Sequence, residues 1–100
     1  MCVGLTEQEI LGTLENAKDR FHKYTKLVVN LTAAQCDKAL SDAIFTLHRL
    51  KKKGQMALKK DPTLKDKIDT TYNKLKELQR LGPEKVQLTL QFAEEWRYVD

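Results

Sequence analysis

Ile10, Leu14, Ala17, Phe21, Tyr24 and Val28 recur at steps of four and three residues, a spacing that gathers all six on one face of a helix. A stripe of that length commits the first third of the chain to an amphipathic helix whose apolar face must be covered by other elements. Its start is marked as well. Thr6 followed by Glu9 is a capping-box pattern, in which the threonine hydroxyl accepts an orphan backbone amide and the glutamate reaches back to the threonine N–H.

The covering elements read as further helices. Asn30-Leu31-Thr32 interrupts the first stripe, and Thr32 with Gln35 repeats the capping-box pattern ahead of Cys36, Leu40, Ala43, Ile44, Leu47 and Leu50. Lys51-Lys52-Lys53 followed by Gly54 makes a favourable last turn and a left-handed glycine cap, which predicts the helix end at about residue 53. Residues 55–60 read either as one more helical turn or as a continuation kinked at Gly54. Asp61-Pro62 is a third start signal, because aspartate caps amides and proline suits the first helical position. Behind it Leu64, Ile68, Thr71 or Tyr72, Leu75 and Leu78 form an inner stripe that Gly82-Pro83 ends.

The last segment is ambiguous in itself. Val86, Leu88, Leu90 and Phe92 alternate with polar residues as a half-buried strand would, but nothing else in the chain offers a second strand, and an unpaired one leaves its backbone groups unsatisfied. Helix is the consistent reading, with two apolar stripes: Val86, Leu90 and Ala93 on one side, and Leu88, Phe92, Trp96 and Val99 on another. The expectation is an all-α, single-domain antiparallel bundle of about four helices, spanning residues 7–29, 33–53, 62–81 and 84–98. Its core should contain Ile10, Leu14, Phe21, Leu40, Ile44, Leu47, Ile68 and Leu75.

Composition agrees. In 100 residues, 41% hydrophobic and 32% charged with 4 Gly and 2 Pro, there is room for one core and no bias toward disorder or a turn-rich β fold. Two cysteines, Cys2 and Cys36, make neither a disulfide framework nor a metal-ligand spacing. The N-terminus lacks a signal-peptide pattern, and the longest aliphatic run, Leu27-Val28-Val29, is far too short to span a bilayer. A soluble intracellular protein, cytoplasmic or nuclear, is expected, and Asn30-Leu31-Thr32 then reads as a turn and helix cap rather than a glycosylation site.

Catalytic signals are missing. The two histidines, His22 and His48, fall on different helices without a nucleophile elbow or oxyanion turn. His22 with Asp19 one turn earlier reads as an oriented base or, more simply, as a solvated polar pair. Glycines at 4, 12, 54 and 82 assemble no phosphate loop, and the acidic residues, Glu94-Glu95 and Asp66 with Asp69, have no His or Cys beside them at ligand spacing. The expectation is therefore no enzyme, no cofactor, no metal and no small-molecule substrate.

Two features could carry binding. Residues 33–60 hold seven basic side chains against two acidic ones, a surplus of +5 in a chain whose net charge is +4. Arg49, Lys51, Lys52, Lys53, Lys59 and Lys60 concentrate it in twelve residues. Clustered ammonium groups gain by displacing counterions from phosphates, so nucleic acid or an anionic membrane surface is one partner class. The same cluster also reads as a solvated helix end, and no aromatic is interleaved with it along the chain. The second feature is the ridge Leu88, Phe92, Trp96 and Val99, because large aromatic side chains anchor interfaces with proteins or peptide helices. A non-catalytic adaptor or scaffold module docking a partner through this ridge is the leading expectation; the polyanion-binding domain is the alternative.

Arg20-x-His22, Asn30-Leu31, Cys36 and Ala39-Leu40 are similar to the start of the helical integrase-binding domain of chromatin-tethering factors. The resemblance covers about twenty residues with one gap, and the segments after it differ in length from that family's pattern. It implies a helical fold and carries over no functional residue.

Overall fold

A computed structural model describes residues 4–27 and 31–98, the side chains of Leu27 and Tyr98 excepted. The first helix, α1 (Glu7–Leu27), begins at its predicted capping box: Thr6 N–H donates to Glu9 Oε1 at 2.9 Å and Glu9 N–H to Thr6 Oγ1 at 3.2 Å. The second, α2 (Ala33–Lys53), starts with the same reciprocal pair between Thr32 and Gln35. Asp61 accepts from Leu64 N–H at 3.2 Å and Pro62 opens α4 (Pro62–Gln79). Between them lies α3 (Gln55–Lys60), a turn and a half in its own right. Among the described residues the bundle therefore has five helices where about four were expected, the fifth being α5 (Lys85–Tyr98). Residues 86–92 are helical despite their alternation.

Gly54 separates α2 from α3 without the left-handed backbone that the Lys-Lys-Lys-Gly pattern predicts. Its φ is −102° and ψ 18°, and no described residue has positive φ. The glycine is needed for space instead. A Cβ there would sit 2.5 Å from Ile10 Cδ1 and 2.8 Å from the Leu50 carbonyl oxygen, because α1 crosses the junction at this point. The chain just ahead of α1 joins the same crossing, with Leu5 N–H donating to the Lys53 carbonyl at 2.9 Å. One free carbonyl at the end of α2 is satisfied in that way.

α2 packs against all four other helices, and α1 packs against α2 and α5. Ile10, Leu40, Leu47, Leu50, Ile68, Leu75 and Leu78 are essentially inaccessible, and each contributes roughly 1.5–3 kcal/mol of burial before entropy is counted. Of the expected core, Ile44 is only partly buried. Val28 lies outside the described residues. Polar contacts rim the seams: Arg20–Asp42 at 3.2 Å between α1 and α2, Lys26–Glu94 at 2.7 Å between α1 and α5, and Lys85–Asp37 at 2.8 Å between α5 and α2. Gln79 Nε2 donates to Ser41 Oγ at 2.9 Å across α2 and α4.

Candidate basic and aromatic groove

The ridge of the last helix is an internal feature. Phe92 is 8% exposed and Trp96 4%. Both close edge-on against Phe21 of α1, at centroid distances of 6.0 and 5.5 Å, and they stack on each other at 5.6 Å. Thr89, Phe92, Ala93 and Trp96 make the buried face of α5, while Val86, Leu88 and Leu90 are half-buried at its margins. This corrects the expectation of an outward docking ridge: the side chains that would anchor a partner are already used by the core. Val99 lies outside the described residues.

The exposed aromatic surface is built on α2 and α4 instead. Four residues after Ser41, Phe45 falls outside the buried stripe and is 61% exposed. His48, one turn on, stacks on Tyr72 of α4 with centroids 6.5 Å apart and planes at 29°. Lys51 Nζ lies 4.7 Å and Lys76 Nζ 5.5 Å from the Tyr72 ring centroid, and the Arg49 guanidinium carbon 5.9 Å from that of Phe45. Such cation–π contacts are each worth about 0.5–1 kcal/mol at exposed sites and hold cationic groups beside flat apolar faces.

Two adjoining depressions share His48 and Tyr72 as a common wall. One, of about 520 Å³, is lined by Lys51, Lys52, Lys59 and Lys65 with Gln55 and Leu58. The other, of about 380 Å³, is lined by Ser41, Ile44, Phe45 and Gln79. Four lysines from α2, α3 and α4 thus converge at one end of a groove whose other end is apolar and aromatic. Of the basic residues expected to act together, the structure brings Lys51, Lys52 and Lys59 into the depression and adds Lys65. Arg49 sits at the aromatic end. Lys53 and Lys60 are exposed but do not line the groove.

Asp69 tempers the charge. It contacts Lys51 at 2.8 Å and Lys65 at 3.2 Å, so one carboxylate serves two ammonium groups. The hydrogen bond from Lys51 is the main cause that holds its carboxyl below the ordinary aspartate range; Lys65 adds to it, against the opposing effect of partial burial. Lys52 and Lys59 have no ion pair among the described residues. Aromatics are therefore interleaved with the basic cluster after all, in space rather than along the chain.

Other candidates dissolve on inspection of their contacts. Asp19 pairs with Lys23 at 3.2 Å and Arg97 at 3.6 Å, so its ion pairs among the described residues are with these bases and not with His22. Cys36 is fully buried, and burial is the main cause that pushes its thiol above the usual range, which disfavours the reactive thiolate. Among the described residues no three His, Cys, Asp or Glu side chains gather as a metal site, and no helix is long and apolar enough to cross a membrane. Comparison with protein-family models, curated proteins and solved structures gives no match.

Proposed function

We propose that the chain is a non-catalytic binding module whose partner is a polyanion, nucleic acid before all, held in the groove between α2, α3 and α4. One observation carries this reading: Lys51, Lys52, Lys59 and Lys65 converge from three helices on one depression, and of these four only Lys51 and Lys65 have an ion pair among the described residues, both with Asp69. Phosphates entering it would release counterions, and about four contacts imply a slope of log affinity on log salt near −3 to −4. A nuclear or cytoplasmic setting supplies such partners.

A second reading, docking of a protein, draws on Phe45 and on Met56, which is 73% exposed on α3, rather than on Phe92 and Trp96. Titration of a labelled duplex and of anionic vesicles at low and moderate salt tests the first. Saturable binding that weakens with salt, and weakens further on Lys52→Ala/Lys59→Ala substitution, is the expected result. Absence of binding to nucleic acid at low salt by the folded protein would overturn it, and binding to vesicles alone would move the function to a membrane surface.

A further inference from the structure

From the shared wall of the two depressions we infer that the groove prefers single-stranded nucleic acid, with the backbone over the lysines and an unstacked base against Phe45. This deepens the polyanion reading and rests on it. A phosphate-only ligand would use the basic depression and leave the neighbouring one empty. That neighbour is floored by Ile44 and Phe45 and closed by the stacked rings of His48 and Tyr72, which is chemistry suited to a flat apolar ring.

Phe45 and His48 are three residues apart on α2, so their side chains lie roughly 5–6 Å from each other along one helix face. Base and phosphate of one nucleotide can therefore occupy the two depressions together. The faces of Tyr72 are attended by Lys51, Lys76 and His48, which leaves Phe45, 61% exposed, as the more open ring, with the Arg49 guanidinium over one face. Duplex DNA keeps its base faces stacked inside and can offer only phosphates. An acidic peptide offers charge without flat rings. Base stacking on an aromatic side chain adds affinity that tolerates sequence, and Arg contributes by cation–π contact.

The experiment is fluorescence anisotropy with a labelled 15-residue oligothymidylate, a hairpin duplex of matching phosphate number and polyglutamate as competitor, at two salt concentrations. The inference expects at least tenfold tighter binding of oligothymidylate than of duplex. It also expects Phe45→Ala to weaken the oligothymidylate about 5- to 100-fold while changing duplex affinity less than twofold, and Phe45→Trp to restore the preference. Circular dichroism melts of both variants establish that the fold is kept. Equal binding of single strand and duplex, or an equal loss for both in Phe45→Ala, overturns the inference and leaves the polyanion reading standing. Polyglutamate displacing the oligothymidylate at equal charge concentration assigns the groove to acidic peptide instead. No binding of either nucleic acid at low salt removes the polyanion reading itself.

Discussion

Two aromatic clusters of this bundle have opposite fates. Phe92 and Trp96 of α5 stack on each other and close edge-on against Phe21 of α1, all three nearly inaccessible. Phe45, His48 and Tyr72 lie on the outer side of the α2 and α4 seam, ringed by Lys51, Lys76 and Arg49. The first cluster is sealed by a complementary ring from a neighbouring helix. The second has cations over its ring faces in place of such a ring, and Phe45 stays 61% exposed. The difference teaches that what surrounds an aromatic, more than its size, decides whether it is core or contact surface.

The largest effect expected from that comparison is on stability. Trp96→Ala should cost about 3–5 kcal/mol, a large part of the margin of a domain this size, and Phe92→Ala/Trp96→Ala should leave the chain unfolded by circular dichroism. A folded, helical double variant would return the ridge to the surface. Phe45→Ala is the counterpart and should change unfolding free energy by no more than about 0.5 kcal/mol in urea titrations. A loss of several kcal/mol there would make Phe45 a packing residue and abolish the contrast.

Removing Lys52 and Lys59, which have no ion pair among the described residues, sharpens the comparison on the charge side. Lys52→Ala/Lys59→Ala should lower the salt slope for oligothymidylate by about 1.4, or about 0.7 for each lost phosphate contact. Lys23→Ala, on the outer face of α1, should leave it unchanged.

The smallest effect concerns Asp69. Its folded-state acidity is shifted below the ordinary aspartate range, so the stability it contributes is present above about pH 4, the unfolded value, and is lost as pH falls through the lower folded one. Asp69→Asn should therefore cost up to about 1 kcal/mol at pH 7, and the gap to the native chain should close as pH falls below the folded-state value. The same substitution frees Lys51 and Lys65 and should tighten nucleic-acid binding at pH 7. Weaker binding instead would mean that Asp69 organises the lysines rather than competing with the ligand.

What could be read in the sequence was local. Thr6 with Glu9, Thr32 with Gln35 and Asp61 with Pro62 each act within one helical turn, so their spacing alone specifies three helix starts. Gly54 was legible as a break but not as a contact, because its reason is Ile10, forty-four residues earlier. The orientation of α5 is non-local as well. With apolar residues on two stripes its own periodicity chooses neither, and Phe21 on α1 decides by drawing Phe92 and Trp96 inward. The groove escaped for the same reason: Tyr72 reaches the lysine cluster from a different helix, and Thr71 competed with it for the inner stripe. Only the Phe45-to-Arg49 spacing of four residues offered a hint along the chain.

The most direct test of the two-cluster account is a residue-by-residue map of contact. Titrating the ¹⁵N-labelled protein with oligothymidylate and following amide chemical shifts should perturb α2 around Ile44–Lys52, α3 and the Lys65–Lys76 portion of α4, with the Thr89–Trp96 amides unmoved. Perturbations centred on Thr89–Trp96, with Phe45 and Tyr72 silent, would contradict it.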